Sequence, residues 1–328
     1  MATKSGPGQS TEPDSMCIAA YRSFFKRALT YGITSVQDMA SSLNAERTMR
    51  TLQEAGPPIR WRVIRFPGTD AKGRLRDEWM KMVSPANSLI KISGTKWVLD
   101  GTQIEQFAVM REPYSDRSDW YGHLYFPVDT IRLMIAESLA GSDPLLLHAI
   151  GDSTINIILH TMSQLASDSL WCARRVRIEH GNFMKPDQYK RVKELGITIV
   201  TNPSHYERVD PVRSLLGNGI PLAIGSDGPT NPFLNIMLAV THDEYPTEAI
   251  SREQAVLAYT AGSAYAEFAE NEKGKLSTGM FADLAVLSQD IFTIPIQELP
   301  QTESILTMVG GNIVFHSGII KVKEDQDK

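Results

Sequence analysis

Short continuous apolar runs alternate with amphipathic stretches along most of the chain. In the amphipathic stretches apolar residues recur every three to four positions, which is typical of helices that cover a sheet. Runs that are apolar throughout are typical of parallel strands buried on both faces. The pattern predicts an α/β domain of strand–helix units, with strands that begin near residues 33, 59, 95, 145, 176, 197 and 222.

The number of predicted strands is seven, whereas a closed (β/α) barrel of this kind has eight. Two interpretations are open: one strand has escaped notice, or the chain begins after the first strand of such a barrel. A helix is predicted at about 74–82, before the third strand, and a long loop rich in charged and aromatic residues spans 101–126. Loops of that length in compact domains usually serve a function.

The composition and the hydrophobic pattern divide the chain into three regions. Residues 1–15 are small and polar with Gly and Pro, lack the apolar stretch of a signal peptide, and are predicted to be a disordered tail. Residues 16–272 carry the strand–helix pattern. Residues 273–328 contain short apolar runs separated by turns, and we expect a small β appendage there.

Composition excludes several classes of function. The formal net charge is −5 and no basic block occurs, so we expect no nucleic-acid partner. No apolar run approaches the roughly 20 residues of a membrane-spanning helix, so we expect no membrane partner. The two cysteines are too few for a disulfide framework and fit a reducing compartment, so a cytoplasmic location is expected.

Side chains that bind metals follow three of the predicted strands. His148, His180 and Asp227 each stand at a strand end, although the chain has only seven histidines. In barrels of this class the functional groups lie at the carboxyl ends of the strands. Imidazole and carboxylate suit zinc and similar divalent ions. We therefore expect a divalent metal, zinc by preference, with Asp227 placed to take a proton from a metal-activated water.

Lys96 lies within the apolar run of the third predicted strand. Lysine is almost never fully buried without a partner. Its side chain could extend along the strand to solvent, or form an ion pair with Asp100. In a third interpretation its amine is carboxylated, which converts a cation into a carboxylate able to bridge two metal ions.

Six motifs in order resemble the amidohydrolase superfamily, and most closely its amidohydrolase 3 branch of YtcJ-like proteins. The resemblance extends from about Tyr31 to Gly318. The stretches that carry it are YGITSVQDM (31–39), KWVLDGT (96–102), LLLHAIGD (145–152), RIEHGN (177–182), PLAIGSDGP (221–229) and GKLSTGMFADLAVL (274–287).

The resemblance implies a fold and a set of roles. The fold would be a TIM-like (β/α) barrel of the metal-dependent hydrolase type, with a small β-sandwich. Lys96 would be the carboxylated, bridging lysine, and His148 and His180 would bind the more buried metal. Asp227 would bind the other metal or the nucleophilic water and carry the proton. Loop residues would contact a small-molecule substrate, and the candidates are His205, Tyr114 and Asp116.

One motif of the family has no counterpart here. The two histidines spaced as HxH at the end of the first strand, and the β-strands before it, do not occur in this sequence. We therefore expect a barrel without strand 1, a partial C-terminal β-sandwich, one or two bound ions, and open strand edges that favour a homodimer.

Two functions follow from the resemblance and this departure from it. The first is hydrolysis of a C–N bond, in a non-peptide amide or cyclic amide of a small molecule, through a metal-activated water. The alternative is a catalytically inactive or truncated barrel that retains only the ligand pocket.

Overall fold

The structure of the protein is a computed structural model that describes residues 12–39, 44–67, 69–70, 73–74, 78–86, 88–204 and 210–320. Most of the predicted tail, residues 1–11, lies outside the described residues. The first helix begins at Asp14, two residues before the regular pattern of the sequence, and ion pairs with Arg47 and Arg50, each 2.7 Å long, hold Asp14 in place.

Seven parallel strands form one curved sheet, and their spatial order is the same as their order in the chain. This confirms the predicted α/β barrel architecture with seven strands. The strands are β1 (Ser35–Met39), β2 (Arg60–Arg65), β3 (Ile90–Val98), β4 (Leu145–Ala149), β5 (Arg177–His180), β6 (Thr198–Thr201) and β7 (Leu222–Ile224).

Helices follow most strands and cover the outside of the sheet. They are α1 (Asp14–Thr30), α2 (Ala45–Ala55), α3 (Val128–Ser138), α4 (Asp152–Leu165), α5 (Asp168–Arg174), α6 (Pro186–Glu194), α7 (Val212–Gly217), α8 (Pro232–Thr241) and α9 (Arg252–Leu257). A π-helical turn (Ala258–Gly262) and a last helical turn, α10 (Ser263–Ala266), continue α9.

In the described part of the predicted helix at 74–82 there is no α-helix, and residues 75–77 lie outside the described residues. Arg74 ends the short strand Gly73–Arg74, which pairs with Thr69–Asp70, and Glu78–Lys81 forms a 3-10 turn. Strand β3 also begins at Ile90, five residues earlier than its apolar run suggested. The polar residues Lys91 and Ser93 interrupt the apolar pattern there, so the first half of the strand was not recognised.

Strand β3 changes the face that it presents at Gly94. Ile90 and Ile92 pack into the apolar cluster beneath α1 and α2, whereas Trp97 and Leu99 pack into the larger cluster beneath α3 and α4. Strict alternation cannot bury both even-numbered and odd-numbered residues on the outer face. The β2–β3 register shifts between these two halves, and Gly94 there has a φ of +99°.

The shift is a β-bulge, and such bulges commonly redirect a side chain beside an active site. A Cβ on residue 94 would lie 2.9 Å from Leu146 Cδ1, and its positive φ is one that side chains rarely adopt. Because of the bulge, Lys96 faces the barrel interior. Without it, Lys96 would share the outward face of Ile90 and Ile92.

The barrel is open on one side. In the part of the chain that the structure describes, β1 pairs only with β2 and β7 pairs only with β6. A cavity of about 1240 Å³ lies between these edges, and α1 and the start of the C-terminal region also border it.

A separate antiparallel sheet completes the fold: β8 (Leu284–Leu287), β9 (Ser304–Val309) and β10 (Asn312–His316). It packs on α1, where Thr307 Oγ1 donates to the Leu29 carbonyl over 2.9 Å. No helix among the described residues has the length and apolar content needed to cross a membrane.

Asp283 joins this sheet to the barrel. Its carboxylate accepts hydrogen bonds from Arg60 Nε (2.6 Å), Arg60 Nη2 (3.0 Å) and the Gly310 backbone N–H (2.7 Å). The Asp283 side chain is only 5% exposed, so the loss of its charge would leave the Arg60 guanidinium with a poorer partner.

We expect Asp283→Ala to lower the free energy of unfolding by about 2–4 kcal/mol, because it removes one member of a largely buried ion pair. Urea titration followed by circular dichroism measures the change. Glu303→Ala, which removes an exposed carboxylate beside the same sheet, is the control and should change stability by less than about 0.5 kcal/mol. Equal effects of the two variants would contradict this account.

Candidate active site

Two histidines meet at the carboxyl ends of neighbouring strands. His148 is the fourth residue of β4 and His180 is the last residue of β5, where Ala149 pairs with His180. The ring centroids are 4.4 Å apart and the ring planes make an angle of 70°. Both side chains are largely buried, with 13% and 4% exposure respectively. The structure therefore brings the two predicted imidazole ligands together.

Asp227 follows β7 and approaches His180. Its Oδ2 lies 3.9 Å from His180 Nε2, and its side chain is 53% exposed. Asp227 and His180 both have positive φ, +44° and +75°. Such backbone conformations cost free energy in residues other than glycine and occur often at functional sites.

Lys96 is 8% exposed inside the barrel. Burial lowers the pKa of its amine, and the nearby Glu179 and Asp227 carboxylates oppose that shift. Lys96 thus does not extend to solvent. The alternative in which it pairs with Asp100 is also wrong, since the Asp100 carboxylate is occupied by Ile150, Gly151, Val109 and Thr154.

A network of buried charges forms the floor beneath Lys96, and sequence reasoning missed it. Arg177 donates to Glu179 through Nε (2.9 Å) and Nη2 (2.8 Å). Gln37 Oε1 accepts from both Arg177 and Arg62. Arg62 also pairs with Glu267. Buried charges persist where partners satisfy them. The sequence held a signal for this network, because Gln37 and Arg62 occupy inward positions of β1 and β2.

The predicted substrate-binding residues fall in two places. Tyr114 and Asp116 lie in the loop 101–126, where Tyr114 Oη donates to the Ala108 carbonyl (2.8 Å) and Asp116 accepts from Gln106 Nε2 (2.8 Å). Both are therefore committed to contacts within the loop, and their role in substrate binding stays a prediction. His205 lies outside the described residues.

The donor atoms suit a zinc-like ion, although they do not form a complete coordination shell. Donors bound to one tetrahedral zinc at ~2.1 Å are about 3.4 Å apart, so the 3.9 Å between His180 Nε2 and Asp227 Oδ2 needs only a small adjustment. Among the described residues no group of three His, Cys, Asp or Glu side chains is close enough to hold an ion. Lys96 would have to supply a further donor.

The chain belongs to the amidohydrolase family, because the sequence profile of that family matches residues 8–315. This confirms the resemblance found in the motifs. In Arabidopsis thaliana, the protein LONG AFTER FAR-RED 3 is 27% identical over 88% of this chain and 56% of its own length. The putative amidohydrolase YtcJ of Bacillus subtilis is 25% identical over 73% of this chain and 50% of its own length.

Two further matches are a curated protein and a solved structure. The N-substituted formamide deformylase of Arthrobacter pascens is 26% identical over 51% of this chain and 35% of its own length. A structure described as an uncharacterized metal-dependent hydrolase from Pyrococcus furiosus superimposes with a TM-score of 0.69, over 83% of this chain and 60% of that one, at 24% identity. The chain spans about half the length of the first two curated relatives.

Asp38, on β1, borders the cavity on its outer side. Burial raises the pKa of Asp38 to about 6, and a hydrogen bond from Trp61 Nε1 (3.2 Å) only partly opposes this. A carboxyl whose pKa is raised in a cleft is a common feature of functional sites. The ionised Asp38 also lowers the stability of the folded protein at neutral pH, because its charge is buried away from water.

We expect Asp38→Asn to stabilise the protein by about 1–3 kcal/mol at pH 7.5, because Asn keeps the bond to Trp61 without the charge. The folded-state pKa lies above the unfolded value, so the wild type gains stability as pH falls through 6. The difference should therefore shrink toward zero near pH 4. Thermal unfolding of both proteins from pH 4 to 8 measures this difference in stability. A difference that stays constant with pH would refute the raised pKa of Asp38.

Proposed function

We propose that this chain is the barrel of a metal-dependent hydrolase that cleaves a C–N bond in a small molecule, a non-peptide amide or a cyclic amide. The observation that carries the proposal is the meeting of His148, His180 and Asp227 at one rim, above a buried Lys96. The name of the related formamide deformylase supports C–N chemistry.

The residues that would hold zinc are His148 and His180, with Lys96 and Asp227 as further donors. A bound divalent ion would lower the pKa of water to ~7 and so supply hydroxide at neutral pH. The number of ions is one or two, according to whether Asp227 binds an ion or only the water. The cavity of about 1240 Å³ would admit the substrate to this rim.

Lys96 becomes an oxygen donor only after carboxylation. The neutral amine attacks carbon dioxide: a C–N bond forms, one C–O π bond opens to give an oxyanion, and a proton passes from the nitrogen to solvent, so the product is a carbamate anion. The lowered pKa of Lys96 favours the neutral amine that this reaction needs. The bulge at Gly94 directs the amine inward, toward the rim.

Asp227 is the proton carrier in this proposal. Its half-exposed Oδ2 accepts a proton from the attacking water and returns it to the leaving nitrogen when the C–N bond breaks. The Asp227 carboxylate lies 3.9 Å from His180 Nε2, on the metal-binding side of the cavity. The proton count balances, since water supplies both the hydroxyl added to carbon and the proton added to nitrogen.

We further propose a homodimer and a cytoplasmic location. Among the described residues, β1 and β7 each pair with one strand only, and another chain can cover the remaining edges. Cys17 and Cys172 are both free, which suits a reducing compartment.

A second candidate function is a catalytically inactive or truncated barrel that retains only the ligand pocket. The observation in its favour is that no close group of three His, Cys, Asp or Glu side chains occurs among the described residues. Metal content separates the two candidates directly.

We expect the purified protein to retain about one equivalent of zinc after dialysis, and His148→Ala to lose most of it, because a ligand of a three-donor site is removed. Elemental mass spectrometry measures both. His160→Ala is the matched control, since His160 is an exposed residue of α4 that contacts Gln164. Absence of zinc from the wild-type protein would favour the inactive barrel, and unchanged zinc in the variant would remove His148 from the site.

We expect Asp227→Asn to reduce hydrolysis by at least about 100-fold, because Asn cannot take the proton. Metal content should change little, because His148, His180 and Lys96 remain as a three-donor site. Turnover of a panel of N-formyl amines and cyclic amides, measured as amine release, tests this. Asp129→Asn, at an exposed position in the first turn of α3, should behave as wild type. Full turnover by the Asp227 variant would contradict the role of Asp227 as the proton carrier.

A further inference from the structure

Asp100 is a buried carboxylate that the proposed chemistry does not use. It lies two residues beyond the end of β3 and is completely inaccessible to solvent. Four donors converge on it: Ile150 N–H on Oδ1 (3.0 Å), and three groups on Oδ2, which are Gly151 N–H (2.9 Å), Thr154 Oγ1 (2.7 Å) and Val109 N–H (3.1 Å).

Three of these donors belong to the turn that follows His148. Gly151 is the N-cap of α4, and it has no side chain with which to cap the helix. Asp100 accepts from the N–H groups of Ile150 and Gly151, immediately before the helix, where a carboxylate is favoured by the helix dipole. Asp100 Oδ1 lies 3.9 Å from His148 Nε2 as well. His148 thus stands directly before a turn that Asp100 holds.

The fourth donor belongs to the long loop 101–126. Val109 donates to Asp100, and its carbonyl accepts from Ser153 N–H (3.0 Å). Arg111 N–H donates to Asp152 Oδ1 (2.8 Å) close by. The approach is so tight that a Cβ on Gly151 would lie 2.1 Å from the Val109 carbonyl oxygen. Loop and turn are therefore bound backbone to backbone.

We propose that Asp100 is a positioning residue that couples the loop 101–126 to the metal ligand His148, so that loop and ligand are held as one unit. This inference rests on the proposed function for the role of His148 as a ligand. The loop that would contact substrate and the turn that directly follows the ligand meet on a single carboxylate. Outer partners of this kind commonly change metal affinity by 10–100-fold when they are replaced.

The test is Asp100→Asn, which keeps the shape but places an amide donor among four donors. Zinc affinity is measured by competition with a chromophoric chelator, and amide hydrogen exchange is followed in the metal-free protein. We expect zinc affinity to fall at least tenfold. Exchange should rise together in two segments, 107–112 and 149–155, because both lose the same acceptor.

Asp283→Asn is the matched control, since Asp283 is a buried carboxylate with three donors on the C-terminal sheet. It should lower the melting temperature yet keep zinc affinity. Zinc affinity that is unchanged in Asp100→Asn, or reduced equally in both variants, would overturn the proposal.

A second variant guards against failure of Asp100→Asn to fold. Thr154→Val removes one donor and leaves the carboxylate in place, so a smaller rise in exchange is expected in the same two segments. If the wild-type protein binds no zinc, the proposed function fails, and the coupling is judged on exchange alone. A rise in both segments would support the coupling, whereas a rise in only one or in neither would overturn it.

Discussion

Main-chain hydrogen bonding between parallel strands is the interaction on which the candidate site depends. Because all seven strands run the same way, their carboxyl ends meet along one rim, and residues distant in the chain become neighbours there. His148 and His180 are placed side by side by the β4–β5 register. The helices on the outside bury the apolar faces and leave the rim open to solvent.

A single extra residue determines the orientation of the lysine. Up to Gly94, the even-numbered side chains of β3 face outward, and after the bulge the odd-numbered ones do. Lys96 therefore points into the barrel, where burial lowers the pKa of its amine. Asp143 supports the bulge, because it accepts from Gly94 N–H (2.8 Å) and Thr95 Oγ1 (2.7 Å).

The open side of the barrel and the charged floor are parts of one arrangement. Inside the arc Arg62 pairs with Glu267 and Arg177 pairs with Glu179, while Gln37 Oε1 accepts from both arginines, so the buried charges are satisfied. The cavity between β1 and β7 adjoins this network. A polar interior tolerates an opening to water better than an apolar one, since its groups lose little when water reaches them.

The sequence by itself determined the strand–helix alternation, the ligand types at three strand ends and the family, because periodicity and motifs are local properties. Only the tertiary structure decided which way Lys96 points, since the bulge depends on pairing with β2. It also decided that Asp100 accepts hydrogen bonds from Val109 and from the turn after His148, and does not form an ion pair with Lys96. A carboxylate chooses its partners by distance in space, and neither the pairing register nor that distance can be read along the chain.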